Sequence, residues 1–259
     1  MNRSIFGFAF ALSCGLAGTA MAADAPKPVA KSVSTPSAAA GPDLVGDVSF
    51  YGGAVGASGD TYGLFGGNGR FVMGMGGGLG FQGDVYGDTL FSAGEGLTDF
   101  GLTGHLISRG MGGALGVKLG VENIYMSTGM NVGLEGQIYS GNITLGADIN
   151  DLFIEGSSLL QVRGLARLYV DPNTRLQFDA AWWDSDGSTN LWTFAGAASH
   201  RLMGTPVDLG ARLRYDSFEG TNVFAGTVGL TFNFDARNST IQSHDRAVPF
   251  DRLGLGGLF

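Results

Sequence analysis

A chain of 259 residues with 44% hydrophobic side chains can bury a core and lacks the composition of a disordered protein. Its 23 acidic residues outweigh 15 basic ones, for a formal net charge of −8, which argues against nucleic acid as a partner because such surfaces are basic. Glycine accounts for 46 residues, far above the usual ~7%, but follows no G-X-Y period, so collagen is excluded.

Residues 1–22, MNRSIFGFAFALSCGLAGTAMA, place a single Arg3 before a short apolar run and end on Ala20-Met-Ala22. This is the pattern of a secretory signal peptide, too short in its apolar part to span a bilayer as a helix. The only cysteine, Cys14, lies within it, so the exported chain is predicted to have no disulfide. Taking Arg3 from the 15 basic residues leaves 14 against 23 acidic, a net charge of −9. Residues 23–46 hold four prolines among alanines, serines and two lysines, and read as a semi-extended periplasmic linker.

From residue 47 to 234 the dominant period is two. Val132, Leu134, Gly136 and Ile138 alternate with Asn131, Glu135 and Gln137, while Val162, Gly164, Ala166, Leu168 and Val170 alternate with Gln161, Arg163, Arg167 and Tyr169. Each such run is a strand with one apolar and one polar face. About twelve are predicted, near 47–57, 61–73, 78–87, 98–108, 114–124, 128–139, 142–154, 159–171, 174–184, 190–202, 206–216 and 222–234. Most exceed the ~5–6 residues usual in soluble sheets and suit tilted transmembrane strands. Turns such as Ser140-Gly-Asn142, Asp171-Pro-Asn-Thr174 and Met203-Gly-Thr-Pro206 allow only antiparallel hairpins. The reading is an all-β, up-and-down transmembrane barrel in the cell outer membrane, with both chain ends and the short turns in the periplasm.

The remaining connections (Gly87–Leu97, Glu155–Ser158, Asp184–Thr189, Ser217–Thr221) then face outward. The second strand, TYGLFGGNGRFVM, is the weakest because glycines interrupt it. Aromatic residues suggest two interfacial girdles. Tyr62, Tyr86, Tyr125, Phe153, Trp182, Trp192, Tyr215 and Phe224 would form the outer one, and Phe71, Tyr139, Tyr169, Phe232 and Phe234 the inner one.

The final strand ends TVGLTFNF, 227–234. With Thr227, Gly229, Phe232 and Phe234 in place, it resembles the C-terminal assembly signal of bacterial outer-membrane barrels, which implies recognition by the barrel-assembly machinery. Such signals usually end the chain, whereas here 235–259 follow and are expected to form a periplasmic C-terminal tail. The proline/alanine linker, GGNGRFVM (66–73) and GFQGDVYG (80–87) resemble porin-like barrels of alphaproteobacterial type. That resemblance implies an architecture and little about a solute.

Polar positions inside such a barrel would place Asp84, Asp99, Glu122, Glu135 and Asp148 on strands three to seven. Arg163, Arg167, Arg175, Arg212 and Arg214 would lie on strands eight, nine and eleven. Opposed acidic and basic walls make a transverse field that orients dipolar solutes and selects ions. Equally, arginines and carboxylates can pair and fill the lumen, with Asp179, Asp208 and Asp216 neutralising them locally. The leading expectation is a porin-like channel for passive diffusion of small hydrophilic solutes or ions, with Arg163, Arg167 and Arg212 facing Glu135 and Asp148. The alternative is a closed structural or binding barrel.

No catalytic set is legible. Ser199 and His200 are adjacent, so their side chains face opposite ways on a strand, and His105 reads as a lumen histidine. Asp184-Ser-Asp-Gly187 lacks the later glutamate of a calcium loop, so no metal or cofactor is assigned. The expected partners are outer-membrane lipid and lipopolysaccharide, with monomer and homo-oligomer both open.

Overall fold

A computed structural model describes residues 44–92, 95–124, 127–185, 189–218, 221–234 and 240–252. The proposed signal peptide and nearly all of the linker lie outside the described residues, as does Tyr125.

Twelve antiparallel strands close into one barrel in simple up-and-down order. They are β1 (Leu44–Ala57), β2 (Asp60–Gly76), β3 (Leu79–Ser92), β4 (Glu95–Gly110), β5 (Gly113–Ile124), β6 (Ser127–Ser140), β7 (Ile143–Ile154), β8 (Ser157–Asp171), β9 (Thr174–Ser185), β10 (Thr189–Arg201), β11 (Val207–Phe218) and β12 (Thr221–Asn233). One short helix, α1 (Ile241–Ala247), follows. Closure joins the first strand to the last, in register from Asp47↔Asn233 to Ala57↔Val223. No open sheet edge remains among the described strands, because each strand pairs with a neighbour on both sides. The shortest strands have 12 residues. At about 3.3 Å per residue and a tilt near 45°, they rise about 28 Å, the thickness of a hydrocarbon core.

The alternation decides which face is which. Leu102, Leu115, Leu134, Ile138 and Val228 are all more than 60% exposed and point outward. Arg163, Arg167, Asp99, Gln82 and Asn131 on the opposite parity are at most 2% exposed and point into the barrel. The charged side chains of outward parity, Asp151 and Asp184, sit near strand ends. A soluble barrel would invert this arrangement, so the outer wall is one that lipid covers.

Three expectations are corrected. β1 begins at Leu44, so the last three residues of the expected linker belong to the barrel. The glycine-broken second strand, by contrast, forms as expected and is the longest of all, at 17 residues. Its Gly66 is required by a close approach: a Cβ there would lie 2.7 Å from the Tyr51 ring, which passes over β2 on the inner face to bond Asp88 of β3. The expected outer loop Gly87–Leu97 shrinks to residues 93–94, because β3 and β4 pair up to Ser92↔Glu95. Tyr86 and Tyr169 are not girdle residues but are buried inside, and Tyr139 also faces inward, where it meets Arg246. Tyr169 shares the parity of Arg163 and Arg167, so alternation overrides its position near a strand end.

All described connections between strands are short, the longest being residues 202–206. None can fold into the barrel to narrow it. What enters the barrel is the segment after β12. Residues 240–252, expected as a periplasmic tail, lie inside the lumen.

Candidate functional site

The segment enters from the end where both termini of the barrel lie. Thr240 caps α1: its hydroxyl accepts from the Ser243 backbone N–H, while the Ser243 side chain answers the Thr240 N–H. The helix sits against the β6–β7 and β8–β9 turns. There the Gln242 N–H donates to Pro172 O at 3.1 Å, and Gln242 Nε2 and Arg246 Nη2 donate to Gly141 O. Pro249 cannot continue a helix, and beyond α1 the chain runs on extended toward mid-barrel.

Side chains around the wall hold it. His244 Nε2 lies 2.8 Å from Asp47 of β1. Asp245 accepts from Arg175 of β9 at 2.7 Å and from the Tyr169 hydroxyl of β8 at 3.0 Å. Arg109 of β4 donates to Ala247 O at 2.7 Å, and Gln137 of β6 to Pro249 O. Arg70 and Gln82, on β2 and β3, both donate to Phe250 O, at 3.2 and 2.9 Å. Val248 and Phe250 join Val72, Ile107 and Ala114 in a small apolar cluster inside the lumen. Gly116 provides the seat for the Phe250 ring, since a Cβ there would come within 2.7 Å of it.

Asp251 is the centre of the basic side. It lies 3.0 Å from both Arg163 and Arg167, and accepts from Gln177 at 2.9 Å. Arg252 turns the other way, bonding Glu122 at 2.9 Å with its guanidinium over the Tyr86 ring, 3.2 Å from the centroid. Burial alone would raise the pKa of both segment carboxyls. At Asp251 the guanidinium groups of Arg167 and Arg163 more than offset it and hold the group well below the usual carboxylate range. Arg175 and Arg167 do the same, more weakly, at Asp245.

All ten residues expected to form charged walls face the lumen, but they do not confront one another across open water. Asp148 and Arg163 are register partners on adjacent strands, 3.5 Å apart, so the acidic and basic walls meet side by side there. Glu135 and Asp84 clamp His105 between them. Arg163 and Arg212 both reach Asp179 of β9, the latter at 3.4 Å, and Arg214 bonds Asp216 on its own strand. Asp99 of β4 is buried in the same face. Arg163, Arg167, Arg175 and Glu122 turn toward the segment. The alternation could not reveal this, because it identifies which side chains point inward and not what stands opposite them.

Beside the segment a cavity of about 160 Å³ remains, lined by Asn68, Arg70, Arg175, Ser199, Arg212 and Asp208 among others. It is polar and has room for several waters. In the assembly-signal stretch, Thr227 is buried on the lumen side, and Phe232 and Phe234 are about half exposed on the outer wall. Phe234 N–H donates to Gly46 O at 2.9 Å, tying the stretch to the first strand. Ser199 faces the cavity, whereas His200 lies on the outer face with its ring against the Thr174 hydroxyl. The wall separates the two, and they make no catalytic pair.

No protein-family model matches the chain, and no curated protein matches it. Solved structures do. The COG4313 outer membrane channel from Pseudomonas putida F1 superposes with a TM-score of 0.57 at 14% identity, over 78% of this chain and all of that one. The NanC porin gives a TM-score of 0.56 at 8% identity, covering 71% and 98%. The KdgM porin in complex with disordered oligogalacturonate gives 0.50 at 9%, covering 73% and 99%. At these identities the likeness shows the fold: a closed antiparallel β-barrel of the kind found in outer-membrane channels and porins.

Proposed function

We propose that the protein is an outer-membrane channel for passive diffusion of small hydrophilic solutes or ions. One observation carries this reading: an apolar outer wall encloses a charged, polar inner wall with a cavity of about 160 Å³, roomy enough for water, left beside the segment. A barrel built only as a scaffold could fill its interior completely with side chains, as small barrels do. The fold shared with channels and porins supports the reading, as does the separation of Ser199 from His200, which speaks against lipid hydrolysis. Export by residues 1–22, contact with lipid and lipopolysaccharide, and assembly through Thr227, Gly229, Phe232 and Phe234 belong to the same proposal. So does kinship with the alphaproteobacterial porin-like barrels, on the strength of 66–73 and 80–87.

A closed barrel is the second reading, favoured by the occupied lumen. Conductance across a planar bilayer with a salt gradient separates the two. Discrete current steps with a charge-selective reversal potential are expected. A silent bilayer containing verified folded barrel would contradict the channel reading.

A further inference from the structure

We propose that the lumen is a peptide-binding site whose ligand is the chain's own segment 240–252, and that this segment is a displaceable stopper. The inference rests on the channel reading above and deepens it by naming what controls the passage.

Three observations carry it. First, the segment takes no part in closing the barrel. β1 and β12 pair directly along eleven positions, and the segment adds no strand to the ladder. Second, it matches the wall in both charge and shape. Asp245 and Asp251 meet the arginines of β8 and β9, Arg252 meets Glu122 of β5, and the Phe250 ring occupies the space left by Gly116. Asp245-Arg246 and Asp251-Arg252, with Val-Pro-Phe between them, form a zwitterionic peptide suited to a zwitterionic lumen.

The third observation is the most telling. Six of the wall groups that grip the segment also have partners on the wall itself. Arg163 has Asp179 and Asp148, Arg167 has Gln177 and Arg175 has Ser199. Arg70 has Asp47, Gln82 has Asp84 and Glu122 accepts from Asn131. Withdrawing the segment leaves Arg163 and Arg70 with carboxylates of the wall, and Arg167 and Arg175 with neutral hydrogen-bond partners in a lumen that water can enter. The usual heavy cost of removing one partner from a buried ion pair is thereby reduced. Each of these six groups keeps a wall partner with the segment in or out, which is what a reversible stopper requires. Since every described connection between strands is short, the segment is, among the described residues, the element that narrows the lumen.

The test uses full-length chains in planar bilayers: the wild type, Asp251→Arg and Phe250→Asp. Both substitutions lie outside the ladder and leave its closure untouched. Wild type should pass a small current and each variant a several-fold larger one. A synthetic peptide of residues 240–252, added at the terminus-bearing mouth, should return the variant current to the wild-type level, while the reversed sequence should not. Equal currents in all three proteins would overturn the stopper and leave the channel standing. Silence in all three, with folded barrel confirmed, would overturn the channel reading itself and the stopper with it.

Discussion

The ladder of twelve strands and the segment of thirteen residues inside it are held by different physics. Each strand is bonded to two neighbours, the ladder closes on itself, and the outer face is matched to hydrocarbon. Water, salt and pH have little purchase on such a structure. The segment has no ladder. It rests on ion pairs to Arg163, Arg167, Arg175 and Glu122, donors to four of its carbonyls, and a small apolar cluster around Phe250. The barrel is therefore a committed structure and the segment a poised one, although a single chain encodes both and they share one lumen.

The sharpest way to break the contrast is from the lipid side. Leu134→Arg places a guanidinium at mid-strand on the outer wall, where the native side chain is 62% exposed. It should cost about 2–4 kcal/mol of barrel stability, read as a lower urea midpoint for unfolding from lipid vesicles. The segment's contacts inside should not change before the barrel unfolds. Next in size is Asp251→Arg, which sets a cation against Arg163 and Arg167. Hydrogen exchange at residues 240–252 should approach that of an open peptide, while β12 amides stay protected. A parallel loss of protection in β12 would mean that the segment is part of the barrel's structural core.

Acid provides a gentler probe. Burial raises the pKa of Asp245 and Asp251, but the guanidinium groups of Arg163, Arg167 and Arg175 lower it further, so both are depressed when the segment is docked. A depressed carboxyl contributes its stabilisation above its free pKa, near 3.9, and loses it as pH falls through the docked value. Protection of 240–252 should thus be flat from about pH 8 to 5 and weaken only below about pH 4. Weakening near neutral pH would show that these carboxylates do not hold the segment. The smallest effect is expected from Arg212→Gln. This arginine lines the open cavity and reaches only Asp179, at 3.4 Å, so its loss should shift the reversal potential slightly toward cations.

Much of the barrel was legible from alternation alone. Leu134 and Glu135 must face opposite ways on any strand, so the sets that became the outer and inner walls could be separated before any pairing was known. Rules resting on position were weaker. Tyr86, Tyr139 and Tyr169 looked like interfacial aromatics, yet each shares the parity of charged lumen residues on its own strand. The segment itself reads only as a tail; its Thr240–Ser243 cap, Pro249 after the helix and two Asp-Arg pairs are local features. Nothing in those features says that the peptide turns back into the barrel. That depends on Gly116 and Glu122 of β5 and Arg163 and Arg167 of β8 converging across the lumen, a juxtaposition that exists only once the barrel has closed.

The central claim is that residues 240–252 occupy the lumen of a closed barrel, and crosslinking tests it most directly. With Cys14 replaced, cysteines at Val72 and Val248, which share one buried cluster, would be treated with a short bifunctional thiol reagent in the folded, membrane-inserted protein. A crosslink between them, with both thiols shielded from a bulky water-soluble maleimide beforehand, is the predicted result. Free labelling of position 248 by the maleimide, with no crosslink formed, would contradict the account.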